Sequence, residues 1–412
     1  MRIPTICIVC LGFLFVTELH AENWPCWRGP MHNGNSNETQ VPTQWNATEN
    51  VKWKTAIPGV GHSSPIVWGD AIFLTTCELE NRTRRLLRVD RESGAVVWSN
   101  IIAEASIEEM HRDNTPASAT PTTDGQHVFV VFCVESELLV SAVDLDGEIS
   151  WSRSVDSFEA SHGFCSSLVL DGNSLFLSGL QDGASAFVAA LEKSTGEILW
   201  KVPRTKQIRS YSTPFLCEIG DTKAILLSGA DQTIAYNRHT GETLWEMAGP
   251  GSKTVSSIVA CDQCKTAFIC GGRDNKFIAV DLRRTVEAST PQISWTETKA
   301  IPYMTSPLLF DGRLHILSDE GVYRCYEASS GRVLNERRAV GAVKASMIAN
   351  ANYIFVTEVS GRTTVIKNDE SWSVVSQNQL DEEVVASPAL SNGDLIIRGR
   401  NHLFLIRQGA TG

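Results

Sequence analysis

Beyond residue 21 the chain has no apolar run approaching the ~20 residues that a membrane-spanning helix needs, so no transmembrane segment is expected. It has no stretch long enough and periodic enough for a core helix either. Lysine and arginine never cluster, and the 412 residues carry a formal net charge of -11. An acidic surface without a basic patch gains little from phosphate backbones, so nucleic acid is excluded as a partner. Nucleophile elbows, phosphate-cradling glycine loops and metalloprotease helices are also missing. The 11 cysteines are scattered and leave an odd number after the leader, which is not a disulfide framework. Cys133, Cys165, Cys217, Cys270 and Cys325 lie in apolar, strand-like runs and read as small buried hydrophobes. Cys261-Asp262-Gln263-Cys264 offers only two of the four ligands of a structural zinc, so a local disulfide or two thiols is the reading and no metal is expected.

What is present is a repeat. Leu191-Glu-Lys-Ser-Thr-Gly-Glu-Ile-Leu-Trp200 has close echoes ending at Trp98, Trp151 and Trp245, and looser ones ending at Trp295 and Asn335. Each echo reads as two strands joined by a tight turn. An acidic or amide side chain accepts from turn N–H groups, glycine supplies the positive φ, and a tryptophan follows on the outgoing strand. Tryptophans 53, 98, 151, 200, 245 and 295 recur at intervals of roughly 45 to 53 residues. Their spacing assigns them to blade-to-blade packing rather than to a row of sugar-stacking rings.

Eight units open alike, at Ser63-Ser-Pro, Ala119-Thr-Pro, Ser166-Ser-Leu, Ser212-Thr-Pro, Ser256-Ser-Ile, Thr305-Ser-Pro, Ala345-Ser-Met and Ala386-Ser-Pro. Four short strands per unit of this length predict an all-β, eight-bladed β-propeller with four-stranded antiparallel blades. The eighth unit stops before its aromatic strand, and an orphan strand around Trp53 supplies it, closing the ring with the N-terminal strand. The seventh unit is the least regular, because Trp372 falls in the turn. The division follows: residues 1–21 as a secretory signal peptide (Arg2, the apolar run from Thr5 to Val16, then Leu19-His20-Ala21), 22–49 as a non-repeating segment that buries Trp24 and Trp27, and 50–412 as the propeller.

The repeated Asp-x-x-Thr-Gly-x-x-x-Trp unit, Trp27-Arg-Gly-Pro, Gly61-His-Ser-Ser-Pro65, Tyr211-Ser-Thr-Pro214 and Ala386-Ser-Pro388 with Arg398 resemble the secreted PQQ-like β-propeller repeat proteins of bacteria. More distantly the chain is similar to the outer-membrane assembly scaffold lipoprotein and to quinoprotein dehydrogenase propellers. The resemblance implies an eight-bladed ring and export, to the periplasm or beyond. It does not imply catalysis. A quinoprotein of this type would show a vicinal Cys-Cys and a Glu/Asn/Asp set on calcium, and neither is recognisable here. No cofactor is therefore expected, with PQQ and calcium belonging only to the alternative, an alcohol or sugar dehydrogenase. The favoured function is a non-enzymatic, monomeric binding scaffold for a protein partner or a ligand. Its candidate residues lie in the loops before the opening strands, at one mouth of the channel: His62, His111, Asn114, His162, Arg209, Tyr211, Tyr303 and Lys344.

Overall fold

The computed structural model describes residues 22–261, 265–283 and 291–411. The predicted leader, residues 1–21, and Cys264 lie outside the described residues. Eight four-stranded antiparallel sheets form the ring. Blade 1 runs through Ile66–Trp68, Ala71–Glu78, Thr83–Asp90 and Val96–Glu104. Blades 2, 3 and 4 span 122–157, 169–203 and 215–248, and blades 6 and 7 span 308–338 and 348–379. Blade 5 consists of 259–261, 266–270, 277–281 and 292–297. Among the described residues the one helical turn is Gly272–Asp274, and no helix is long and apolar enough to cross a membrane.

Blade 8 takes Ala389–Ser391, Asp394–Arg398 and His402–Thr411 from the C-terminus and Glu49–Ala56 from the N-terminus as its outer strand. The closure predicted from the orphan strand is thus present, with Trp53 opposite Leu405. A buried ionic cluster ties it to blade 1. Asp394, fully buried, accepts from Arg91 Nε at 2.9 Å and from Arg407 Nε at 2.7 Å.

The repeat motif is the joint between blades. Trp151 of blade 2 lies over Gly196 of blade 3, where an added Cβ would stand 2.5 Å from the indole, and Gly196 has φ 69°. A residue with a side chain would both strain the turn and displace the ring. The indole N–H of Trp151 donates to Lys193 O at 2.9 Å. Trp53, Trp98, Trp200 and Trp295 repeat the contact on Arg91, Leu145, Arg238 and Ala328. The acidic residue organises the turn itself: Glu192 accepts from the backbone of Ser194 and Thr195.

A second device runs around the channel. From blade 2 to blade 8, the second residue of the opening motif accepts, through its hydroxyl, the backbone N–H of its counterpart one blade earlier. Ser64 donates to Thr120 at 2.9 Å, Thr120 to Ser167 at 3.0 Å, Ser167 to Thr213 at 3.1 Å and Thr213 to Ser257 at 3.1 Å. Ser257, Ser306 and Ser346 continue it onto Ser306, Ser346 and Ser387. These residues precede the innermost strands rather than lying within them, a small correction to the strand boundaries expected from sequence. Their role follows from burial: each N–H is shut off from water and faces no strand of its own blade. Replacing Ser257 by alanine should leave Thr213 N–H buried and unpaired, lowering stability by about 1–3 kcal/mol. Urea unfolding with an unchanged m-value checks this, and a loss within experimental error would refute the belt.

Blade 7 is complete, in spite of its irregular sequence. Trp372 occupies the turn with φ 53°, is buried, and meets Tyr323 of blade 6 at 3.5 Å between ring centroids. Asn335 stands at the position of blade 6 that tryptophan takes elsewhere, and its Nδ2 donates to Glu370 O at 2.7 Å. The wedge at this joint therefore comes from the following turn instead of the preceding outer strand. At the joint between blades 7 and 8, Trp45 of the non-repeating segment is buried, with its backbone N–H donated to Asn378 Oδ1 at 2.9 Å.

Candidate functional site

The same N-terminal segment covers one end of the channel. It crosses the ends of the innermost strands: Trp24 exchanges backbone hydrogen bonds with Val67 of blade 1, and Thr123 N–H of blade 2 donates to Pro25 O. On the far side Gly34 and Ser36 bond to Ala349 of blade 7, and Asn35 Nδ2 donates to Leu309 O of blade 6 at 2.7 Å. Fully buried Trp24 anchors the crossing, and Trp27 faces up the channel as part of its lining. The other end, where each outer strand passes to the next blade, stays open.

At that open end the long loop between blades 1 and 2, residues 105–121, reaches across the mouth. Asp113 accepts from Lys344 Nζ, on the loop between blades 6 and 7, at 3.1 Å. This bridge separates two spaces. One is a well of about 470 Å³ on the side of blades 1 and 8, lined among others by Val60, His62, Met110, His111, Val385 and Arg398. The other is a narrower channel of about 140 Å³ that descends past Cys165, Tyr211, Met304 and the hydroxyl belt to Trp27.

Four of the residues singled out in the sequence, His62, Asn114, Tyr211 and Lys344, line the narrow channel, and His111 lines the well. His162 lines neither space but stacks flat on His111, with centroids 4.8 Å apart and planes 6° from parallel. Its carbonyl accepts from Asn114 Nδ2 at 2.7 Å, so two neighbouring inter-blade loops are locked together. Arg209 is committed to Asp182, with Nη1 2.9 and 3.0 Å from its two oxygens. Tyr303 lies under the Arg273 guanidinium, 5.0 Å from the ring centroid, and forms part of neither cavity's lining. The Tyr211 hydroxyl is buried with no hydrogen-bond partner among the described residues, and burial pushes its pKa up.

Three residues of the site were not singled out beforehand. Asp113 has no motif around it, in a loop outside the repeat. Arg398, quoted above only for the family resemblance and not as a site residue, closes the strand Asp394–Arg398. Cys165 was assigned to a strand, but it precedes the strand and faces the channel, because the chain there is still in the approach to the belt.

A family model described as outer membrane protein assembly factor BamB matches residues 136–366, more than half of the chain. The chain belongs to this family. A BamB from Yersinia pestis, named an outer membrane protein assembly factor, is 20% identical over 370 residues, covering 87% of this chain and 77% of that protein. The crystal structure of BamB from Moraxella catarrhalis superposes with a TM-score of 0.61 at 11% identity, covering 87% and 98% of the two chains. Quinohemoprotein alcohol dehydrogenase from Comamonas testosteroni superposes with a TM-score of 0.69 at 10% identity, covering 93% and 80%. Likeness at these identities establishes the shared PQQ-like propeller fold.

Within this BamB-type ring several cations of the mouth act on His62. His62 has its pKa pushed down to about 4, first by burial and then by Arg398, Lys344 and Arg400. An unfolded chain protonates histidine near 6.5, whereas folded His62 stays neutral until about pH 4. The unfolded state therefore binds more protons across that window, and stability falls as pH falls through it. Half-buried His32, pushed down to about 4 by desolvation, acts in the same direction. The midpoint of urea unfolding should drop between pH 7 and 4.5, and His62→Gln should make that drop shallower without removing it. An unchanged slope in the variant would contradict the assignment.

Proposed function

We propose that this chain is an exported binding scaffold that receives a segment of a partner protein at the open mouth of the propeller. The observation that carries the reading is the asymmetry of the channel: one end is covered by the chain's own N-terminal segment, and the other opens through converging loops onto a polar, cationic well. A rigid ring that presents loops from several blades is a means of building a binding face without catalytic machinery. The naming of the Yersinia pestis relative as an assembly factor supports a protein partner. Export rests on the leader read in residues 1–21, which places the encounter in the periplasm or outside the cell. His62, His111, Asn114 and Lys344 are the proposed contact residues at the rim, with His162, Arg209 and Tyr303 on the adjoining loops and Tyr211 at depth. The scaffold acts as a monomer and needs no cofactor.

The second reading is a PQQ- and calcium-dependent dehydrogenase, favoured by the likeness to the Comamonas enzyme. Residues of the well do not fit that pair. Its carboxylates are already held by cations, Glu108 by Arg84, Asp113 by Lys344 and Glu383 by Arg400, which leaves none free for calcium. Two measurements separate the readings. Residues 22–412, immobilised and exposed to the exported protein fraction, should retain a partner that Lys344→Glu and Asn114→Ala lose and that an exposed substitution at the opposite face keeps. The same protein, given PQQ and calcium, should acquire no stoichiometric chromophore and reduce no dye with alcohols or sugars. A saturable chromophore with turnover would sink the scaffold reading.

A further inference from the structure

Arg398 is an unusual member of the well. Only 3% exposed, it donates through Nη1 to Ser63 O at 2.9 Å and to Ser63 Oγ at 2.6 Å, both neutral groups. Among the described residues no carboxylate lies within ion-pair distance of it, whereas Lys344 and Arg400 of the same lining have Asp113 and Glu383. Its Nε and Nη2 groups meet no protein acceptor among the described residues, and neither is sealed from the cavity that Arg398 lines. Burial pulls the guanidinium down to about 9, so it is still cationic at neutral pH. A buried charge without a counter-charge is costly, and proteins normally pair it.

Space for the guanidinium is provided by sequence. At Gly61 an added Cβ would stand 2.3 Å from Arg398 Nη2 and 2.9 Å from Thr75 O, so no other residue there leaves the fork in place. Apolar side chains, Val60, Ile107, Met110 and Val385, complete the lining around it. The result is one buried, fixed and uncompensated cation at the wall of a partly apolar cavity, whose other cation unpaired among the described residues, Arg112, is exposed.

We propose that the well takes a carboxylate on Arg398, carried by an acidic side chain of the partner segment whose neighbouring apolar residue rests on Val60, Ile107 and Met110. This inference rests on the partner-binding reading of the open mouth and names the chemistry of the anchor. A planar carboxylate matches the two remaining donors of the fork. A dianion such as phosphate would meet the lining carboxylates Glu108, Asp113 and Glu383 at twice the charge, which disfavours it relative to a carboxylate.

The test is calorimetric titration of residues 22–412 with acetyl-Leu-Asp-amide, its neutral isostere acetyl-Leu-Asn-amide, acetate and inorganic phosphate. The Asp peptide should bind at least tenfold more tightly than the Asn peptide, and acetate should compete with it only weakly. Arg398→Met should erase the Asp/Asn preference and Arg398→Lys should retain part of it. The peptide pair on the unaltered protein decides the matter even where Arg398→Met fails to fold. Equal binding of the two peptides would overturn the inference, as would phosphate binding more tightly than acetate. Acetate matching the peptide would overturn the partner-borne form. Partner capture that persists without any peptide preference would discard the carboxylate anchor alone and leave the scaffold reading standing. Peptide preference without any partner capture would do the reverse.

Discussion

A chain lacking residues 22–58 should lose cooperative unfolding altogether, while residues 22–412 melt in a single transition. The deletion removes the outer strand of blade 8, whose partner His402–Thr411 would then present a bare edge of unpaired backbone groups. It also removes Trp24, Trp45, Val51 and Ile57 from one continuous core cluster that includes Leu74, Leu380, Ile396 and Leu405. At ~1.5–3 kcal/mol for each large buried side chain, the loss is on the order of 6–12 kcal/mol, comparable with the whole stability of a typical domain. Differential scanning calorimetry distinguishes the outcomes: a broad, low-enthalpy trace for the truncated chain supports closure by the N-terminus, and a sharp transition at the original temperature refutes it. The shorter deletion of residues 22–36 gives a finer expectation. It uncovers one end of the channel but leaves Trp45 and the closing strand, so cooperativity should survive with a lower melting temperature.

Most of this architecture was legible in the residues because each element of the repeat answers a local physical need. Asp or Glu at the turn, glycine at positive φ and tryptophan on the outer strand can be recognised one unit at a time. The orphan strand around Trp53 was legible for the same reason, as half of a known unit. The hydroxyl belt was visible only as a recurring Ser/Thr. Its donor is the equivalent residue of the neighbouring blade, so its meaning exists only once the ring is closed. The covering of one channel end was out of reach because Trp24, Gly34 and Asn35 bond to strand ends scattered from Val67 to Ala349. In the candidate site, loops could be assigned to one mouth by counting strands, which placed His62, Asn114, Tyr211 and Lys344. Which loops lean inward could not be counted, and the Asp113–Lys344 bridge and the Arg209–Asp182 pair depend on that lean. Arg398 was noticed only as part of the family pattern, because a strand-ending arginine has no legible role until its lack of a counter-charge is seen.

The joint between blades 6 and 7 offers the sharper test of how blades are held together. At five joints a tryptophan from the preceding outer strand covers a glycine of the following turn, as Trp295 covers Gly331. Here the two roles are exchanged, with Asn335 on the strand and Trp372 in the turn at φ 53°. If what matters is one indole filling the gap, from whichever side, the two substitutions should be strongly coupled. Trp372→Gly empties the space beside Tyr323, Val343 and Ile366 and should cost about 3–5 kcal/mol. Asn335→Trp alone forces a second ring into an occupied gap and gives up the bond to Glu370 O, for about 1–3 kcal/mol. Combined, they rebuild the arrangement of those five joints and relieve the left-handed strain at position 372, so the double variant should recover at least half of the loss caused by Trp372→Gly. A double-mutant cycle in urea measures the coupling. Additive losses would mean that Trp372 serves the core of blade 7 and not the joint, and the wedge would then have to be dropped as the general principle of this ring.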